Sequence, residues 1–151
     1  ETVTAGGTNP GGSIRGVIGA GAGALVNLTM GSPQPLWSGG LLHAELRYFD
    51  AARRRPGLPE DVGALVTAID KETVRVALVN ISQVRPREVI VQTGAYGENQ
   101  CDRVEVEGRT APIANRFFTV RLAPGAGAGL TIHRRLMANR PTLALPWPGP
   151  H

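Results

Sequence analysis

The chain has 151 residues, a formal charge of +4, 42% hydrophobic and 19% charged residues, which suits one ordinary folded domain and excludes a disordered, charge-rich chain. Glycine (20 residues) and proline (12 residues) are frequent, and both punctuate short elements more readily than they extend long helices. Cys101 is the single cysteine, which excludes an internal disulfide and a multi-cysteine metal site, and no run of about 18 apolar residues offers a membrane-spanning helix.

The sequence begins at Glu1 without a basic-plus-apolar leader, as expected of a processed product or a piece of a longer polypeptide. Residues 1–40 form a glycine-rich region in which only short strands fit, with Ser13 to Ile18 and Ala24 to Met30 as candidates. From Leu41 to Phe49, Leu42, Ala44, Leu46 and Tyr48 alternate with His43, Glu45, Arg47 and Phe49, the period of a strand. Asp50 to Pro59 reads as an exposed loop that crosses between sheets. Pro59-Glu60-Asp61 and the spacing of Val62, Leu65, Val66 and Ile69 predict a short helix near residues 59–69, while alternation of Val62, Ala64 and Val66 also permits a strand. Thr73 to Ile81 sets Val74, Val76, Leu78 and Asn80 against Thr73, Arg75, Ala77, Val79 and Ile81, a strand with one buried face that is expected to pair with Arg87 to Thr93. Cys101 to Val106 gives a further strand, ended by Gly108. Arg116 to Leu122 and Leu130 to Leu136 flank a Pro124 to Gly129 turn and are expected to form a final hairpin. The tail at 139–151, with Pro141, Pro146, Pro148 and Pro150, is expected to lie extended over a groove. Short strands at such intervals predict an all-β, antiparallel β-sandwich in one domain.

Few residue patterns carry chemistry. Gly19 to Gly23 fits the permissive dinucleotide fingerprint, but Pro33 and Pro35 interrupt the helix that must follow, so the run reads as a glycine turn and no cofactor is expected. His43, His133 and His151 lack metal-ligand spacing, so no metal site is expected, and nothing local makes Cys101 a nucleophile beside either His43 or His133. The acids, among them Glu45, Asp50, Glu60, Asp61, Glu88 and Glu98, occur in no recognisable catalytic setting, and no catalytic residue is assigned. Basic residues are fifteen arginines and Lys71, a skew that fits a GC-rich bacterial coding sequence. Arg53, Arg54 and Arg55, with Arg134, Arg135 and Arg140, form two clusters suited to anionic groups, since guanidinium donates bidentately. Aromatics are not interleaved with them, so nucleic acid is not an expected partner. Trp37, Tyr96 and Trp147, in loop or tail segments, are the candidate ligand-binding rings, able to stack on a sugar or to plug the end of a sandwich.

The runs Val-Arg-Val-Ala-Leu-Val-Asn-Ile-Ser from Val74, Arg-Glu-Val-Ile-Val-Gln-Thr-Gly from Arg87 and Phe-Thr-Val-Arg-Leu-Ala-Pro-Gly-Ala-Gly from Phe118 resemble the C-terminal β-sandwich domains of bacterial multidomain, glycan-active proteins. The resemblance covers about half the chain. It implies a noncatalytic accessory, binding or assembly module in a secreted or periplasmic setting, with a glycan or another protein domain as partner. The alternatives are a structural subunit that assembles through strand edges and the proline-rich tail, and a small hydrolase, which needs a pocket of convergent titratable groups.

Overall fold

The computed structural model of the chain describes residues 24–32 and 43–147. The strand expected at Ser13 to Ile18, the Gly19 to Gly23 turn, Trp37 and His151 lie outside them. Among the described residues nine strands follow one short helix, α1 (24–30): β1 (Leu46–Asp50), β2 (Arg55–Pro56), β3 (Val62–Ile69), β4 (Thr73–Asn80), β5 (Arg87–Thr93), β6 (Gln100–Val106), β7 (Arg109–Asn115), β8 (Phe117–Leu122) and β9 (Gly127–Arg135). They form two antiparallel sheets, ordered β2-β1-β5-β8 and β3-β4-β9-β6-β7. The fold is the all-β sandwich expected from the alternation.

The core lies between the sheets and takes one face of each strand. Leu46 and Tyr48 of β1, Val89 and Val91 of β5 and Phe118 of β8 meet Val74, Val76 and Leu78 of β4 and Leu130 and Ile132 of β9, all buried. In β4 the expected faces hold residue by residue, with Val74, Val76, Leu78 and Asn80 buried and Arg75, Ala77 and Val79 exposed.

Four local expectations are corrected. Ala24 to Met30 is a helix, because Val26 and Met30 fall on one helical face and Met30 packs on the core, while Gly31, at φ +65°, accepts the left-handed turn that ends it. Ser32 N–H then donates to Asn27 O at 3.1 Å, the six-to-one bond of that cap. The helix near 59–69 is the strand β3, paired with β4 from Val62↔Asn80 to Ile69↔Val74, and its alternation of Val62, Ala64 and Val66 toward the core prevails over the weaker helical spacing. Asp61, at φ +66°, closes a turn where a first helical turn was expected. β4 and β5 do not pair, and neither do β8 and β9; each connection crosses from one sheet to the other. Asn80 explains both crossings. Its fully buried carboxamide donates from Nδ2 to Arg85 O (2.7 Å) and Ala123 O (3.1 Å), accepts Ser82 N–H (3.1 Å) at Oδ1, and thereby ties the two connections to each other instead of folding each back on itself. One hairpin was missed: β6 and β7 are joined through Glu107 and Gly108, at φ +48° and +77°, the two left-handed positions of a type I′ turn.

The tail leaves β9, crosses the loop between β5 and β6 and reaches the outer face of the four-stranded sheet. Met137 N–H donates to Asn99 Oδ1 (3.1 Å), Asn139 N–H to Glu98 O (3.0 Å) and Thr142 N–H to Tyr96 O (2.8 Å). Trp147 then stands edge-on to Phe49, with ring centroids 5.8 Å apart, beside the Phe49–Phe117 contact at 6.2 Å.

Candidate functional site

The two faces of the sandwich differ in what covers them. On the four-stranded sheet the outward ring of Phe49 is fully buried beneath Trp147, Phe117 and the guanidinium of Arg47, whose carbon stands 5.1 Å from the ring centroid. On the five-stranded sheet Leu65 of β3 and Ala77 and Val79 of β4 make an apolar outward patch, and among the described residues nothing comparable covers it. Leu65 is 44% exposed, Val79 42% and, just beyond β4, Ile81 65%. Ala77 lies between them, and a shallow hollow of about 330 Å³ is lined by Gly63, Ala64, Leu65, Ala77, Leu78 and Val79. In register with Ala77 and Val79, β9 contributes Gly129 and Gly127, so the floor is flat. These residues were legible as the second face of Val74 to Ile81, where Ala77, Val79 and Ile81 are apolar although they point away from the core. An exposed apolar patch of this kind marks an interaction surface when a polar rim bounds it. Arg75 of β4 and the charged ends of β9 and β6 form such a rim.

That rim centres on His133. Arg103 Nη2 lies 3.0 Å from His133 Nδ1, and a guanidinium only donates, so Nδ1 accepts and the ring proton sits on Nε2. Nε2 faces Glu105 Oε1 at 2.8 Å, off the line of a hydrogen bond. Both ring nitrogens are therefore engaged by charged neighbours. Cys101 lies across β6 from this group, in register with Arg134 and on the core side, and is fully buried. Burial, with the charge of Asp102 adding to it, pushes its thiol up to about 12. Cys101 and His133 thus face opposite sides of one sheet, and His43 is exposed ahead of β1; no nucleophile pair is brought together.

Four of the six clustered arginines are matched to carboxylates. Arg53 pairs with Glu60, Arg55 with Asp50 at 3.5 Å, Arg87 with Asp61 at 2.6 Å and Arg121 with Glu88 at 2.5 Å, so the cleft of about 350 Å³ that Asp50, Arg53, Glu60, Arg87, Glu88 and Arg121 line carries as many acids as bases. Arg54 occupies an exposed turn at φ +49°. The second cluster is divided by the strand. Arg134 points inward, its side chain 3% exposed, to pair with Glu45 and donate to Asp70 O at 3.0 Å. Arg135 points outward to Asp102 at 3.0 Å, and Arg140 lies in the tail, where its carbonyl accepts from Arg116. Of the candidate rings, Trp147 is half-buried against Phe49 and Tyr96 is half-buried in the loop that anchors the tail. The structure brings neither Tyr96 and Trp147 nor the two arginine groups into one site. Among the described residues no group of three or more His, Cys, Asp or Glu is placed to hold a metal ion, and no helix is long and apolar enough to cross a membrane.

No protein-family model, curated protein or solved structure matches the chain.

Proposed function

We propose that this chain is a noncatalytic binding or assembly module that meets another polypeptide through the β3–β4 side of its five-stranded sheet. The observation that carries this reading is the apolar outer surface of Leu65, Ala77, Val79 and Ile81 beside a glycine floor, bounded by Arg75 and the His133 group. Apolar area left in water disfavours the isolated surface by about 25 cal/mol per Å², and burial against a partner recovers it. The carbohydrate-directed form of the module would instead use the half-buried rings of Tyr96 and Trp147. A photoreactive amino acid at Val79 is the test, with Thr119 on the exposed outer side of β8 as control. In the host cell, covalent adducts to a polypeptide are expected from position 79 and not from 119. Equal yields at both positions, or none at 79, would reject the reading.

A further inference from the structure

The five-stranded sheet has two edges, β3 and β7, and the four-stranded sheet has β2 and β8. Three of these edges carry features that oppose pairing. β2 is two residues long and consists of Arg55 and Pro56, β7 carries Arg109 and Pro112, and β8 carries Arg121, so each has a charge or a missing donor on its edge. β3, Val-Gly-Ala-Leu-Val-Thr-Ala-Ile, has no charge and no proline.

Among the described residues, the register shows which backbone groups β3 leaves unpaired. Asn80 N–H donates to Ala126 O on the β9 side, whereas Thr73 O accepts Asp70 N–H and Ile81 N–H donates to Asp61 O on the β3 side. Odd-numbered residues of β4 therefore turn their backbone toward β3. Gly63↔Val79 and Leu65↔Ala77 are accordingly the hydrogen-bonded pairs, and the N–H and C=O of Ala64 and Val66 point away from the sheet. The irregularity between Val66 and Ala68 ends this free run, leaving Val62–Val66 as its straight part.

We infer that the chain forms a two-fold homodimer by antiparallel pairing of β3 with its copy, centred on Ala64, which joins two five-stranded sheets into one of ten strands. This rests on the assembly reading above and places a second copy beside that surface, at its Gly63 and Leu65 edge. In that register Ala64 meets Ala64 and exchanges both backbone bonds, and Val66 N–H meets Val62 O twice. On the outer face Leu65 of each copy lies opposite Gly63 of the other, in the close, non-hydrogen-bonded kind of pair. The fit is large against small: a Cβ at Gly63 would stand 3.2 Å from Val79 Cγ1, so the space above Gly63 has an apolar wall for Leu65 of the other copy. No like charges face each other, since Asp61 falls opposite Thr67, and Asp61 is already paired with Arg87 at 2.6 Å.

Sedimentation equilibrium of the full chain tests this, with Ala64→Pro and Leu65→Lys. Proline at 64 removes an outward N–H and none of the bonds to β4, and position 65 is exposed, so both variants are expected to keep the wild-type circular dichroism spectrum. The wild type is expected at twice the 15.9 kDa of the chain, and both variants at the single mass. A wild type that stays at the single mass at millimolar concentration overturns the dimer, as do folded variants that both remain dimeric. The two readings separate: a single-mass chain whose position 79 still cross-links to another polypeptide sinks the self-pairing alone, while loss of both sinks both.

Discussion

At Asn80 one side chain holds the topology. A carboxamide has two N–H donors, and here they are spent on Arg85 O and Ala123 O, carbonyls from the two segments that carry the chain between sheets. Gly125 N–H reinforces the join by donating to Ser82 O at 2.8 Å. Removing the amide takes three hydrogen bonds from a fully buried side chain whose partners lie in part-buried connections, and a buried polar group left unsatisfied costs roughly 1–3 kcal/mol. Asn80→Ala is thus expected to lower the unfolding free energy by at least about 2 kcal/mol in urea denaturation. Asn80→Asp should cost more at neutral pH, because it adds a negative charge among carbonyl oxygens. A midpoint unchanged in Asn80→Ala would show that the crossovers hold without the clamp. The Asn-Ile-Ser and Ala-Pro-Gly stretches of the two runs quoted from the sequence are, in the fold, two sides of this one contact.

The tail works as an element without regular structure: the backbone N–H groups of Met137, Asn139 and Thr142 set its path, and Trp147 stands against Phe49. Trp147→Ala is expected to cost roughly 1–2 kcal/mol, from lost apolar burial and the edge-on ring contact, and guanidinium unfolding followed by circular dichroism measures it. A cost near zero would mean that Arg47 and Phe117 suffice to cover Phe49. Element types and faces were legible wherever a period of two is enforced by burial on one side, as in Val74 to Asn80 and Phe118 to Leu122. Partners were not, because alternation fixes which face a residue takes and says nothing of the strand beside it; the β8–β9 turn looks like a hairpin turn until Asn80 and Ser82 claim its backbone. Residues 24–30 and 62–69 exchanged helix and strand for a related reason. Short apolar segments fit both periods, and the decision rests on Gly31 as a helix stop and on the vacancy beside β4 that β3 fills.

Among the described residues many charges stand in matched pairs, and this is why the arginine clusters read as sites in sequence: the acids that neutralise Arg53, Arg134 and Arg135 are Glu60, Glu45 and Asp102, two of them far away along the chain. The apolar surface of β3–β4 was half legible, as the outward residues of β4, while its exposure depends on β3 being an edge. The buried hydroxyl and thiol give the whole fold a dependence on alkaline pH. Burial pushes Cys101 from 9.0 up to about 12 and raises Tyr48 from 10.0, so between pH 9 and 12 the unfolded chain loses protons that the folded chain keeps. The folded state then binds more protons than the unfolded state, and stability must fall as pH rises, by up to about 1.4 kcal/mol per pH unit for each group. Below pH 9 neither group contributes a slope, and the stabilisation they represent is fully present. Urea unfolding at pH 8, 9, 10 and 10.5 is expected to give a flat first interval and then a decline that steepens once Tyr48 joins. Cys101→Ala should remove the decline between pH 9 and 10 and leave the later part. A wild-type curve that stays level to pH 10.5 would mean that the thiol and the phenol ionise inside the folded sandwich as readily as outside it, which burial between two closely packed sheets does not allow.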